Sequence, residues 1–160
     1  MIKQMRIDNR LIHGEIVALW IPSLGADTLV IADTAYASNQ IMKMSALLAK
    51  PKNCDFEIRT VEDAISFLND PANDKRKILV ICGTTDNALA LVKNCDGIQD
   101  VNVGGLTHAE GTKQVSMRVY LNENDVENLK EIDSLGKTIF QQTRPDEKAM
   151  SFNEMLGKIK

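Results

Sequence analysis

The segment Ile7-Asp8-Asn9-Arg10-Leu11-Ile12-His13-Gly14-Glu15 concentrates residue types suited to moving an anionic group. An unperturbed imidazole, with a pKa of about 6.5, offers a neutral nucleophile at neutral pH. Arg10 supplies a guanidinium, whose planar fork matches phosphoryl oxygens, and Arg6 lies just upstream. Asp8 can accept a hydrogen bond from one imidazole nitrogen and leave the other as the nucleophile. Gly14 gives the backbone room for close approach. A histidine where a strand hands over to a helix also meets free N–H groups and the positive end of the helix dipole. Together these parts suit a transiently phosphorylated histidine. A second reading stands beside it, in which His13, flanked by Leu11 and Ile12, is structural and the chain is a small-ligand-binding regulatory α/β module.

The elements that must position this loop follow from periodicity. Short apolar runs rich in β-branched residues predict strands at Met1 to Asp8, Thr28 to Ala32, Phe56 to Arg59, Ile78 to Cys82, Val101 to Val103, Val115 to Leu121 and Thr138 to Phe140. The unbroken run at Ile78 to Cys82 predicts a central strand covered on both faces. Between them lie helical patterns: Ile16 to Ile21, a buried stripe at Ile41, Met44, Ser45 and Leu48, a capped start at Thr60, Asp86 to Lys93, and Asn122 to Leu135 closed by Gly136. This alternation predicts a single-domain α/β sandwich over residues 1–160, with a mostly parallel central sheet and helices on both faces. Val101–Val103 and Val115–Leu121 are expected to approach as a hairpin, giving antiparallel strands towards the sheet edge. Ligands in such folds bind beyond the carboxyl ends of the strands, where the His13 loop falls.

Two other loops at that edge could contribute. Asp33 closes the second run, and Gly83-Thr84-Thr85 follows the central one, so Asp33, Thr84 and Thr85 are second-loop candidates. The Gly-Thr-Thr turn lacks the Gly-Lys-Ser/Thr of a nucleotide-binding loop. His108 follows Gly104-Gly105-Leu106-Thr107 and reads as an exposed loop residue. Trp20 and the methionines of the 41–48 stretch read as core. Cys54, Cys82 and Cys95 have no CxxC spacing, and with two histidines in the chain no metal site is expected. They read as reduced buried thiols, with Cys82 as nucleophile the weakest alternative. The net charge of −3 argues against a nucleic-acid or anionic-membrane surface as a partner. No apolar run reaches the roughly 20 residues of a membrane span, and Met1 to Arg6 has no apolar leader, so a cytoplasmic location is expected.

The string Arg6 to Glu15 closely resembles the phosphorylation-site segment of enzyme IIB components of the bacterial phosphotransferase system, mannose/fructose/sorbose/N-acetylgalactosamine family. Asn102-Val103-Gly104-Gly105 and Glu110-Gly111-Thr112-Lys113-Gln114 resemble that family's second motif. The resemblance implies a phosphocarrier that accepts a phosphoryl group from a cognate enzyme IIA on Nδ1 of His13. The group would pass to a sugar entering through the membrane IIC and IID subunits, with no cofactor and with room for a homodimer. It implies phosphoryl-binding or loop-organising roles for Arg10 and Asp8, while Arg6 and Gly14 are expected to complete the anion site. Docking partners would meet Leu11, Ile12 and the Leu106–Glu110 loop, placing the chain peripherally at the membrane transporter. The Ile7-Asp8-Asn9-Arg10 variant leans towards the N-acetylgalactosamine branch. One departure is Glu15, where the family usually carries Gln. Facing the phosphoryl group, its charge would cost ~1 kcal/mol in water and ~4 at an effective dielectric of 20, at about 4 Å. The expectation is instead that Glu15 points to solvent and complements the helix dipole.

Overall fold

The apolar β-branched runs form strands and the amphipathic stretches between them form helices. A computed structural model describes all residues from Met1 to Lys160. Along the chain, β1 (Ile2–Asp8) leads through the His13 loop into a π-helical turn (Ile16–Trp20) and α1 (Ile21–Leu24). Then come β2 (Thr28–Ala32), α2 (Thr34–Ala37), α3 (Gln40–Leu48), β3 (Asp55–Arg59) and α4 (Val61–Asn69). A 3-10 turn precedes β4 (Ile78–Cys82), α5 (Thr85–Asn94) and β5 (Asp100–Gly105). The chain ends with β6 (Lys113–Ser116), β7 (Val119–Leu121), α6 (Glu123–Ser134), β8 (Thr138–Gln141), β9 (Met150–Ser151) and α7 (Phe152–Lys158).

Seven strands form one sheet in the order β3-β2-β4-β1-β5-β8-β9, parallel throughout except for β9. Every residue of β2 and β4 is buried, as strands covered on both faces require. Their side chains alternate between two cores. Val30 and Val80 pack with Leu91 of α5, Leu129 of α6 and Met155 of α7. Leu29 and Ile31 pack on the opposite face with Ile16, Trp20 and Ile21.

Three expectations are corrected. The antiparallel edge strand is β9, paired with β8, whereas β5 lies inside the sheet and is parallel to both neighbours. Val115 to Leu121 is not one strand: Met117 and Arg118 form the turn of a separate β6–β7 hairpin. The stripe Ile41, Met44, Ser45, Leu48 is helical as predicted, but it faces solvent rather than the core. Only Ala46 of α3 is buried, because α3 packs chiefly on α2.

Candidate functional site

The site grows from the carboxyl end of β1. Arg6 and Asp8, two residues apart on a strand, point to the same face, and both are fully buried. Buried charges persist only when paired and hydrogen-bonded. Arg6 Nε donates to Asp8 Oδ2 at 3.3 Å. Its two terminal nitrogens donate to the carbonyls of Gln142 (3.0 Å) and Thr143 (3.3 Å). Trp20 covers the guanidinium, 5.2 Å from Cζ to the ring centroid, and donates its indole N–H to the Thr143 carbonyl at 2.9 Å. Arg6, expected at the anion site, is therefore enclosed beneath it: with no exposed surface, it positions Asp8 and cannot touch a phosphoryl group.

Strand β5 makes room for this pair. A Cβ at Gly104 would overlap the Arg6 guanidinium, and one at Gly105 would sit 3.0 Å from Asp8 Oδ1. Next to them, buried Asn102 accepts the Gln142 N–H and donates to the Gln142 carbonyl, both at 3.0 Å. The Asn-Val-Gly-Gly string thus anchors the 142–143 segment and clears space for Arg6 and Asp8.

Beyond Asp8 the chain turns sharply. The Leu11 N–H donates to the Asp8 carbonyl at 3.0 Å, and the Asn9 N–H donates to the Gly105 carbonyl at 2.9 Å. Leu11 has φ +58°, a left-handed conformation rare for a bulky residue, at a typical cost of about 1–3 kcal/mol. Its side chain is buried, packed where Gly83 of the neighbouring loop has no side chain.

The turn brings His13 back over Asp8, with Nε2 2.8 Å from Oδ2. Burial pushes the Asp8 carboxyl up. The His13 hydrogen bond, the Arg6 charge and the Arg10 amide (3.1 Å to Oδ1) outweigh it and hold the group below the usual carboxylate range. An ionised carboxylate only accepts, so the ring proton is assigned to Nε2 and the lone pair to Nδ1. Arg10 Nε lies 3.5 Å from Asp8 Oδ1, and its side chain is about a third exposed (35%). Gly14 is exposed, with open space around its Cα.

Glu15 does not point to solvent as expected. Its Oε2 is buried without a hydrogen-bond partner, 3.9 Å from Arg10 Nη2, while Oε1 lies 3.8 Å from Arg118 Nη2. Two guanidinium groups thus converge on one carboxylate beside His13.

The second-loop candidates are placed differently. Asp33 caps α2 by accepting the Tyr36 N–H at 2.8 Å, and it lies behind the loop against Gly83. Thr84 caps α5 by accepting the Asn87 N–H at 3.1 Å. Thr85 is buried and donates to Asp125 Oδ1 at 2.7 Å. None of the three hydrogen-bonds to His13 or Arg10. His108 is exposed and meets Tyr120 edge-on at 5.4 Å, lining a cavity of about 130 Å³ with Asn9, Arg10 and Arg118. Cys82 is fully buried and its thiol is pushed up to about 12 by burial and then by Asp33, which removes it as a nucleophile.

Sequence reasoning missed Arg118, the Gln142 and Thr143 carbonyls, and the service of Trp20 to Arg6. Arg118 sits in a turn with no motif around it, and backbone acceptors leave no trace in residue type.

The family model described as PTS system sorbose subfamily IIB component matches residues 2–160. The N-acetylgalactosamine-specific phosphotransferase enzyme IIB component 1 of Escherichia coli (strain K12) is 34% identical over 141 residues, covering 88% of this chain and 89% of that protein. A crystal structure of the Escherichia coli N-acetylgalactosamine-specific IIB component 1 superposes with a TM-score of 0.86 at 30% identity, covering 95% of this chain and 99% of the other. The IIBSor domain of the sorbose permease from Klebsiella pneumoniae superposes with a TM-score of 0.91 at 21% identity over 99% and 98% of the two chains, a likeness of fold.

Proposed function

Because this chain belongs to the PTS system sorbose subfamily IIB component family, and so is a phosphotransferase, we propose that His13 is its phosphoryl carrier. The observation that supports this reading is the 2.8 Å contact between Asp8 and Nε2, which in the neutral ring places the proton on Nε2 and the lone pair on Nδ1. In the first step that lone pair attacks the phosphorus of a phosphohistidine on enzyme IIA. The N–P bond to His13 forms as the donor's N–P bond breaks, and the donor nitrogen regains its lone pair. No proton moves on His13, and the positive charge gained by its ring is stabilised by Asp8 through Nε2–H. Arg10, and Arg118 if Glu15 releases it, face the transferred oxygens. The reverse displacement gives the group to a sugar hydroxyl in the membrane IIC–IID complex, the hydroxyl proton leaving to a base on that side. A relay must bind its phosphoryl group without trapping it, and two arginines shared with Glu15 fit that need.

The sugar is assigned to the N-acetylgalactosamine class, after the specificity in the name of the 34% identical relative. The chain works in the cytoplasm beside its membrane transporter.

The test is intact-protein mass after incubation with phosphoenolpyruvate, enzyme I, HPr and a panel of IIA proteins, with phosphoramidate as a partner-free phosphoryl donor. One acid-labile phosphoryl group, absent in His13→Ala, is expected. A wild-type chain that neither donor labels returns the reading to a binding module with a structural histidine.

A further inference from the structure

Helix α3 turns its apolar side away from the protein. Ile41, Met44, Leu47 and Leu48 are 80%, 65%, 51% and 91% exposed, and at 100° per residue they share one side of the helix. The equally long α4 does the opposite, burying Ala64 and laying Ile65 and Leu68 on the core. An exposed stripe of long aliphatic side chains calls for an apolar surface to receive it.

Charge identifies that surface. The net charge of −3 argues against an anionic membrane for the chain as a whole, but the stretch from Thr34 to Cys54 departs from it: it has no Asp or Glu, while Lys43, Lys50 and Lys52 all fall there. None of the three lysines joins an ion pair. Lys50 and Lys52 stand at the mouth of an open groove of about 700 Å³ floored by Val17, Ile21 and Pro22, on the helical segment that directly follows the His13 loop. Gly25, Ala26 and Lys50 to Lys52 of that groove precede β2 and β3, so the apolar and basic surface runs from α3 towards the amino ends of the strands, away from the His13 end. A second copy packed face to face would set like charges against each other. The α3 stripe is also convex, unlike the groove a peptide helix needs. Aliphatic side chains flanked by unpaired lysines fit the headgroup boundary of an anionic bilayer, the lysines meeting phosphates and the stripe entering the acyl margin.

We propose that α3 and the Lys50–Lys52 segment form a contact for an anionic lipid surface. No helix is long and apolar enough to cross a membrane, so the contact lies on the bilayer. It holds the chain at the membrane in which the transporter sits, and it operates whether or not His13 carries phosphate.

The test is co-sedimentation of the full chain with vesicles of phosphatidylcholine alone and of equal parts phosphatidylcholine and phosphatidylglycerol. Binding is expected on the anionic vesicles only, weakening as salt rises. Lys43→Ala/Lys50→Ala/Lys52→Ala should lower the partition coefficient about a hundredfold and, separately, Ile41→Ser/Leu48→Ser about tenfold. Because the substituted side chains lie outside the cores, the thermal midpoints should match the wild type, which separates lost binding from lost folding. Absent binding, equal binding to neutral vesicles, or binding indifferent to both variants overturns the proposal. So does a dimer in sedimentation velocity that Ile41→Ser/Leu48→Ser abolishes, which would assign the stripe to a second copy.

Discussion

Strands β1 and β4 run side by side in parallel and deliver polar loops to the same edge of the sheet, yet the two loops are built in opposite ways. After β4, Thr84 caps the first turn of α5 and Thr85 binds Asp125, so both hydroxyls are engaged by the helices they help to pack. After β1, Glu15 caps nothing, Leu11 is left-handed, and the first helical turn is a π turn. There the polar groups are held from far away, by Gly105, Thr107, Gln142 and Thr143. A loop that satisfies its side chains locally becomes a helix start. One whose buried charges are satisfied by distant backbone can hold a histidine over a carboxylate with one ring nitrogen free. Local strain persists where the surroundings over-determine it, and such sites are often functional.

The contrast is broken most directly by Asp8→Asn. The substitution leaves Arg6 buried without its countercharge, at a cost of about 3–5 kcal/mol of stability. It also ends the enforced Nε2–H tautomer, so His13 labelling should slow by ~100-fold or more. Chemical denaturation across pH adds a signed test. The Asp8 carboxyl is held below its ordinary value, so its contribution is complete above the ordinary carboxylate pKa and is lost as pH falls through the lower folded value. Asp8→Asn should flatten that acid limb. Unchanged labelling would mean that Asp8 serves only Arg6.

Glu15→Gln sharpens the contrast by a smaller step. Freed from the carboxylate, Arg10 and Arg118 turn to the phosphoryl oxygens. The phosphorylated fraction at equilibrium with a donor should rise by a factor of about two to five, the scale of partly exposed charge pairs. A fall would mean that Glu15 organises the arginines rather than competing for them.

The smallest effect is expected at the other loop. Thr84→Ala removes a helix cap worth about 1 kcal/mol, read as a lowered midpoint, with labelling of His13 unchanged. A loss of labelling comparable with that of Asp8→Asn would erase the distinction between the loops.

Much of this architecture was legible in residue order. The β2 and β4 runs, the helix ending at Gly136 with φ +83°, and the cluster of Asp8, Arg10 and His13 all follow from patterns within a few residues. Arg6 was legible as charge but not as a buried brace, because its partners are backbone carbonyls about 136 residues away. The inward turn of Glu15 was hidden for the same reason: Arg118, which flanks it, arrives from a hairpin far along the chain. The 41–48 stripe was read with the correct period and the wrong side, since period gives the angle between side chains but not which sector is covered.

The sequence by itself determined which elements form and which chemistry is available, because helix period, strand alternation and side-chain functional groups are local properties. Tertiary structure alone decided that Asp8 meets Nε2 rather than Nδ1, that Arg6 is buried while Arg10 reaches outward, and that α3 shows its apolar side to solvent. Those outcomes depend on which distant donors, acceptors and surfaces the fold brings within a few ångströms, and buried charge is tolerated only where such partners meet.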